Sequence, residues 1–377
     1  MARITMPHWI GRVAAVVVIA ALVVGGAAVW IQSNAIRSDL LVARPAADGY
    51  DLEVVRIGAG RVVLPRTDAT IKEGTWGLES ASAYAQVSNV LGITDTEVER
   101  SIVTVRGELA EGDAVRLDAD AFSGDPQEAH GLGFDEVRVP GELGAHPAWL
   151  IEGRRSTWVV IVHDVGSDQR SQALRIMPML LEQGYPILAI SVRNDDGAPE
   201  SASGLRSWGL EEWRDLDAAL TLADRKGATD YVLYGYGMGA AVISTFLHES
   251  DRTNIVRGVV LDSPVLDLEG TLDATSTTPA PLLEVSQQLA RLRFGLEWEL
   301  LDQLERVDEF DVPVLVLHGA ANEEVPIVLS EEFVAALPEL ARLERFEQAG
   351  HGDLWNTDRS RYEQVVSDYL SQIAGPE

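Results

Sequence analysis

The second half of the chain alternates short, unbroken apolar segments with stretches whose apolar residues recur at helical spacing. The apolar segments include residues 158–163 (WVVIVH), 186–192 (PILAISV), 231–234 (YVLY) and 312–317 (VPVLVL). Strands of this kind are buried on both faces, and strands connected by helices run parallel. The sequence therefore predicts an α/β fold with a mostly parallel, doubly wound sheet, whose sites lie at the carboxyl ends of the strands. Helical spacing predicts connecting helices over 172–183, 210–226 and 239–248.

Between residues 50 and 147 the pattern is different. Segments with alternating apolar residues, such as 61–66 (RVVLPR), 99–107 (ERSIVTVRG) and 113–120 (DAVRLDAD), are separated by Gly, Asp and Pro. This pattern predicts short antiparallel strands joined by turns, and hence a small β-rich domain over 50–147 that precedes an α/β domain over 149–377. The alternative is that residues 50–147 elaborate the N-terminal edge of the α/β domain.

An uncharged apolar run of 19 residues occupies positions 13–31. At 1.5 Å per residue, a helix of this length spans a hydrocarbon core of about 30 Å. The run predicts a transmembrane anchor between an N-terminal tail, 1–12, and a linker, 32–49. Arg3 and Arg12 precede the run, which favours a single pass through the cell membrane with an extracytoplasmic body. Arg37 and Arg44 weaken this asymmetry, and a cleaved signal peptide is the alternative.

The chain is acidic and contains no cysteine. Its 59 Asp and Glu against 30 Lys and Arg give a formal net charge of −29. This charge repels phosphates, so nucleic acid is excluded as an expected partner. The absence of cysteine excludes disulfides, thiolate metal sites and thiol catalysis. No metal or cofactor motif is recognisable, and we expect neither a metal nor a cofactor.

Four short motifs lie at predicted strand ends in the α/β domain: HDVGS from His163, GYGMG from Gly235, HGAANEEVP from His318 and AGHG from Ala349. In this order, they resemble the site loops of α/β-hydrolases, in particular of bacterial serine-hydrolase-like members. The resemblance covers residues 149–377. It implies the α/β-hydrolase fold, with a strand-to-helix nucleophile elbow at GYGMG. It also implies a lid over the pocket at about 265–308.

At the catalytic positions the chain departs from the family it resembles. The nucleophilic serine aligns with Gly237 and the triad acid aligns with Asn322, whereas His351 keeps the position of the base. The family glycine after the first histidine of the HG loop is Asp164. Glycine cannot attack a carbonyl carbon, and a neutral amide cannot balance an imidazolium charge. These losses predict a pseudoenzyme without serine-hydrolase activity.

Part of the machinery remains in the sequence. The backbone N–H of Met238 opens a predicted helix and is expected to face an oxyanion, with a second donor from Asp164 or Val165. The charge of Asp164 would repel such an oxyanion. His351 is either a surviving general base or a silent relic.

Several residues are candidates to replace the lost groups. Asp262, in LDSP at a predicted strand end, is a possible substitute acid, with turn capping as the alternative. Glu323 or Glu324 replaces the lost acid only if their loop directs the carboxylate toward His351. Ser263 and Tyr236 are weaker candidates for a substitute nucleophile.

Three functions follow from these observations. The first is a membrane-anchored binder of a small molecule or protein that lacks serine-hydrolase chemistry. The second is an active hydrolase with rewired chemistry, in which His351 and a non-standard carboxylate such as Asp262 activate water. The third is an extracytoplasmic scaffold that acts through the β-rich domain.

Overall fold

The computed structural model describes residues 8–42, 49–166 and 169–374. Residues 1–7 of the expected tail and 43–48 of the expected linker lie outside the described residues. Within the described part, two β-sheets organise the chain, one of seven strands and one of eight.

The first sheet is antiparallel and has the spatial order β1-β7-β4-β5-β6-β3-β2. Its core is a cluster of apolar side chains that includes Val62, Leu64, Trp76 and Leu78. The alternating segments of the sequence form this sheet because one face of each strand joins the core. Its strands are β1 (Leu52–Glu53), β2 (Arg56–Gly58), β3 (Arg61–Pro65), β4 (Trp76–Ser80), β5 (Ala83–Ile93), β6 (Glu97–Gly107) and β7 (Ala114–Asp118).

The second sheet confirms the predicted α/β architecture. Its spatial order is β15-β14-β13-β12-β10-β11-β9-β8. The strands from β10 to β15 pair in parallel, and β8 and β9 extend one edge in antiparallel pairing. The strands are β8 (Asp135–Pro140), β9 (Ala145–Ile151), β10 (Thr157–Val162), β11 (Ile187–Ile190), β12 (Asp230–Tyr236), β13 (Val256–Asp262), β14 (Val314–Gly319) and β15 (Ala341–Phe346).

The first sheet ends at β7, before the expected domain boundary at residue 147. Strand β8, which lies inside the predicted β-rich range 50–147, pairs with β9, and β9 pairs with β11 in the second sheet. Among the described residues, only those up to Asp118 contribute strands to the first sheet. Alternation shows that one face of a strand is buried, but it does not show which sheet buries it.

Ten α-helices lie in the described residues. They are α1 (His8–Ile36), α2 (Pro126–His130), α3 (Met177–Glu182), α4 (Trp213–Arg225), α5 (Met238–Glu249), α6 (Leu268–Thr275), α7 (Ala280–Phe294), α8 (Ile327–Ala336), α9 (Leu354–Thr357) and α10 (Arg359–Ile373). The expected helix over 172–183 is divided into a 3₁₀ segment, Gln169–Arg175, and α3. Pro178 lies in the first turn of α3, where its missing N–H leaves no helical bond unmade, so a new helix starts there. Helices α6 and α7 lie in the segment expected as a lid.

Helix α1 covers the apolar run 13–31 and ends in a π-helical turn, Arg37–Leu41. Residues 32–41 of the expected linker are therefore helical. Ile36 and Leu41 are buried in the core of the second sheet. Arg293 of α7 lies 3.6 Å from the centre of the Trp30 ring and donates a hydrogen bond to Ser33. The end of α1 thus packs along α7.

Of the residues that the structure describes, none forms a helix both long enough and apolar enough to cross a membrane.

Candidate functional site

The carboxyl ends of five parallel strands bring the sequence-predicted residues together. Asp164 follows β10, Gly237 follows β12, Asp262 ends β13, Asn322 follows β14 and His351 follows β15. Ligands bind at this edge in open α/β sheets.

Gly237 forms the sharp turn between β12 and α5. Its φ of 44° and ψ of −107° form a conformation that residues with a side chain rarely adopt. Position 235 also requires glycine, because a β-carbon there would lie 2.7 Å from the backbone nitrogen of Ala240. This strand-to-helix turn has the backbone geometry of a nucleophile elbow, and it carries no nucleophile.

The carboxylate of Asp164 fills the space that an elbow side chain would occupy. A β-carbon at Gly237 would lie well inside van der Waals distance of Cγ, Oδ1 and Oδ2 of Asp164. The side chain of Asp164 is about 10% exposed, so it is packed into this place. Glycine at position 237 and aspartate at position 164 are therefore sterically linked.

The same carboxylate takes both expected oxyanion donors. The backbone N–H groups of Met238 and Val165 each donate to Asp164 Oδ1, at 2.7 Å. In acyl transfer these donors would stabilise the oxygen of a tetrahedral intermediate. From the sequence, Asp164 was expected to repel an oxyanion from nearby. In the structure its own oxygen lies where the oxyanion would lie.

His351 pairs with the other oxygen of Asp164. Its Nε2 lies 2.8 Å from Asp164 Oδ2, and its Nδ1 lies 3.1 Å from Asn322 Nδ2. Asn322 cannot turn its amide around freely, because its Oδ1 accepts hydrogen bonds from the backbone N–H groups of Glu324 and Val325. The amide therefore donates to Nδ1, and in the neutral ring the hydrogen is on Nε2.

This tautomer is the reverse of the one that a catalytic triad uses. In a triad, the histidine Nδ1–H donates to a carboxylate, and Nε2 is free to accept the proton of the nucleophile. Here Asn322 donates to Nδ1 of His351, and Nε2–H donates to Asp164. The ring nitrogen that should act as a base already carries a hydrogen.

Charge reinforces the pairing between His351 and Asp164. Burial opposes protonation of His351, but the hydrogen bond and charge of Asp164 outweigh it and raise the pKa of His351 to about 9. Burial likewise favours the neutral acid of Asp164, but the hydrogen bonds from His351, Met238 and Val165 prevail and lower its pKa. An imidazolium carries a hydrogen on both ring nitrogens, so Asn322 can donate to Nδ1 only while the ring is neutral, whereas Nε2 keeps its hydrogen. In either protonation state, Nε2 is therefore a donor to Asp164.

Asp262, the possible substitute acid, is engaged below the elbow. The Tyr362 hydroxyl donates to its Oδ2 at 2.7 Å, and the Ser263 hydroxyl donates to its Oδ1 at 2.9 Å. Its backbone carbonyl accepts the N–H of Gly237. Burial raises the pKa of Asp262. Within the described residues, no hydrogen bond joins Asp262 to His351, and Ser263 is itself buried. These contacts favour a role in supporting the elbow.

A cavity of about 190 Å³ opens beside Asp164 and His351. Sequence reasoning missed one of its walls, Trp208. This residue has a positive φ of 55°, which is unusual for a bulky side chain, and its Nε1–H donates to the carbonyl oxygen of Leu40 at 2.9 Å. Leu40 belongs to the π-helical turn after α1 and also lines the cavity. The sequence carries no local signal for this contact, because 168 positions separate its partners.

The loop that carries His351 also rests on residues near the first sheet. Lys72 forms a 2.8 Å salt bridge with Asp353, whose other oxygen accepts the N–H of Gly350. Asn356 donates to the carbonyl oxygen of Thr75. The β-rich part therefore helps to fix the position of His351.

Comparison with solved structures identifies the fold. The structure resembles esterase Pf2001 of Pyrococcus furiosus with a TM-score of 0.52 and 19% identity, over 66% of this chain and 96% of that one. It resembles a puromycin-hydrolyzing peptidase of Mycobacterium tuberculosis with a TM-score of 0.53 and 17% identity, over 85% of this chain and 54% of that one. The chain has an α/β-hydrolase fold. At these identities the likeness extends to the fold and not to the activity of either protein.

Sequence comparison gives two further matches. Residues 53–118, which correspond to the first sheet, match a family described as a domain of unknown function (DUF8805). An uncharacterized protein of Bacillus subtilis, YqkD, is 23% identical over 224 residues, which are 57% of this chain and 71% of that protein.

The steric link between positions 237 and 164 predicts coupled stability effects. We expect Gly237→Ala to lower the free energy of unfolding by about 1–3 kcal/mol, as overpacking does. In an Asp164→Gly background the cost should be smaller, because the collision is removed and only backbone strain remains. Denaturant unfolding of the four proteins in this double-mutant cycle measures the difference. Gly235→Ala is the matched control, since it meets the backbone of Ala240 and should cost the same in both backgrounds. Equal costs for Gly237→Ala in both backgrounds would contradict the steric link.

The ion pair predicts a shifted titration of His351. We expect NMR to give His351 a pKa above the ordinary 6.5, and Asp164→Asn to bring this pKa below 6.5, because burial then dominates. A raised histidine pKa stabilises the fold fully below pH 6.5, and this contribution is lost as the pH rises through about 9. The stability advantage of the native protein over Asp164→Asn should therefore shrink over that interval. The pKa of His130, which burial lowers, should not change. An unchanged His351 titration in the variant would rule out the pairing.

Proposed function

We propose that this protein is a membrane-tethered α/β-hydrolase-fold protein that binds a ligand at the site and does not catalyse serine-type acyl transfer. The observation that carries the proposal is the position of Asp164. Its carboxylate occupies the nucleophile space above Gly237 and accepts the Met238 and Val165 N–H groups. The site is thus filled by an anion from within the chain.

Serine-type acyl transfer requires three features at this site. They are a hydroxyl at the elbow, a histidine Nε2 that accepts its proton, and empty oxyanion donors. Gly237 removes the first. Asn322 and Asp164 together place a hydrogen on His351 Nε2, which removes the second. Asp164 also removes the third.

A hydrolase with rewired chemistry is the second candidate, and the observation that favours it is the opening of His351 onto the cavity. To activate water, His351 Nε2 would have to lose its hydrogen and release Asp164. Asp262 would also have to exchange its hydroxyl partners for His351. Ligand binding requires none of these rearrangements, and we therefore rank it first.

The membrane tether in this proposal is α1. Among the described large apolar side chains of α1, six are 60–70% exposed, namely Val17, Ile19, Leu22, Val23, Val24 and Ile31. An apolar surface of this kind is typical of a segment that meets lipid or another protein. The uncharged run 13–31 that contains these residues favours lipid. The arginines at positions 3 and 12 favour an extracytoplasmic body.

Restoration of activity tests the catalytic part of the proposal. We expect Gly237→Ser with Asn322→Asp to remain inactive toward short p-nitrophenyl esters, because Asp164 still fills the oxyanion site. Adding Asp164→Gly should raise turnover about 10²–10³-fold above the level of the double variant, which is the contribution of one oxyanion donor or more. His351→Ala in the triple variant should abolish that gain. If the native protein hydrolyses these esters and His351→Ala stops it, the rewired hydrolase is the better account.

Vesicle flotation tests the tether. Full-length protein should float with phospholipid vesicles, and Leu22→Glu with Val23→Glu should reduce the floated fraction at least about 10-fold, because a charge placed against lipid acyl chains loses its solvation. Leu91→Glu with Ile93→Glu is the matched control, since both residues are exposed apolar residues on the first sheet. Equal flotation of the two double variants, or no flotation of the native protein, would count against a tether through α1.

A further inference from the structure

The cavity beside Asp164 has the size of a small ring compound. Its volume is about 190 Å³, and apolar walls come from Trp208, Val265, Leu268, Leu272 and Val325. A cavity of about 150 Å³ lined by apolar side chains is sufficient to bind benzene. The present cavity therefore accommodates one ring with a short substituent.

The charged groups that face this cavity are predominantly acidic. Asp39, Asp164 and Glu324 line it, and His351 is the single basic residue among the described lining residues. His351 is engaged by Asp164 at 2.8 Å, so its charge is balanced inside the site. The negative charge of Glu324 also acts on His351, since it contributes to the raised pKa of this histidine. A negative charge on a ligand would be repelled here and a positive charge attracted.

One wall of the cavity is held in a strained conformation. Trp208 keeps its φ of 55°, although such a backbone costs about 1–3 kcal/mol for a bulky residue. It persists because the Nε1–H is fixed by Leu40 and the ring is packed to 6% exposure. An aromatic wall fixed before binding suits a flat ligand, and aromatic rings also attract ammonium groups.

We propose that this cavity binds a small apolar primary amine, about the size of one ring with a short tail, whose ammonium group is directed toward Glu324. This inference deepens the proposed ligand-binding function and rests on it. The Asp164 carboxylate remains in its place above Gly237, so the amine is a ligand and not an acyl substrate. Glu324 distinguishes amines from alcohols and acids of the same shape.

A series of three compounds of nearly equal shape tests the inference: benzylamine, benzyl alcohol and benzoate. Binding to the full-length protein in detergent is measured by ligand-observed NMR. We expect benzylamine to bind about 2–5-fold more tightly than benzyl alcohol, because Glu324 is exposed and solvent screens its attraction for the ammonium group, and benzoate not to bind. Glu324→Gln should bring benzylamine to the affinity of benzyl alcohol and leave the alcohol unchanged.

Two variants locate the binding. Glu323→Gln is the matched control, since it removes the same charge from a neighbouring residue outside the cavity lining, and the amine preference should persist. Leu272→Phe narrows the cavity and should weaken both the amine and the alcohol. If this variant does not fold, the comparison of Glu324→Gln with Glu323→Gln still decides the question.

The outcomes separate the amine from the ligand-binding function itself. Benzoate binding as tightly as benzylamine, or an amine preference unchanged in Glu324→Gln, would overturn the amine inference. Equal binding of amine and alcohol that is lost in Leu272→Phe would also overturn it, while leaving a ligand-binding cavity. If none of the three compounds binds, the amine inference fails, and the ester assays described above still decide on catalysis independently.

Discussion

The buried carboxylate of Asp164 is the group on which the rest of the site depends. A carboxylate removed from water is stable only if hydrogen bonds and an opposite charge replace its solvation. Here the backbone N–H groups of Met238 and Val165 satisfy one oxygen, and His351 satisfies the other. These partners are the groups that an esterase would direct at its reaction intermediate. The Asp164 carboxylate is therefore a permanent anion in the electrostatic environment that would stabilise a transient oxyanion.

The departures from the hydrolase pattern are therefore connected with one another. A side chain at Gly237 would collide with Asp164. Because Asn322 donates to His351 Nδ1, the hydrogen on Nε2 faces Asp164, where a carboxylate needs a donor. A triad aspartate at position 322 would place a hydrogen on Nδ1 and would favour a free Nε2 in the neutral ring. Glycine, asparagine and aspartate at these positions form a single self-consistent arrangement, which differs from a triad that has simply lost two members.

Distant parts of the chain hold this arrangement from two sides. The turn after α1 provides Leu40, which lines the cavity and fixes Trp208. On the other side, Lys72 holds Asp353 in the loop of His351. The N-terminal helix and the β-rich part are thus structurally linked to the site.

The sequence by itself indicated the alternation of strands and helices in the second half of the chain, because apolar periodicity is a local property. The elbow at Gly237 without a nucleophile was implied by the resemblance of four short motifs to α/β-hydrolases. The sequence also identified Asp164 as a departure from the α/β-hydrolase pattern. It showed that this residue carries a charge but not where the carboxylate lies. The place of the carboxylate, the tautomer of His351 and the wall formed by Trp208 were decided by tertiary structure alone. Each depends on which loops meet at the carboxyl edge of the sheet. Two partners of the Asp164 carboxylate, Met238 and His351, lie 74 and 187 positions away, a separation that no local pattern encodes.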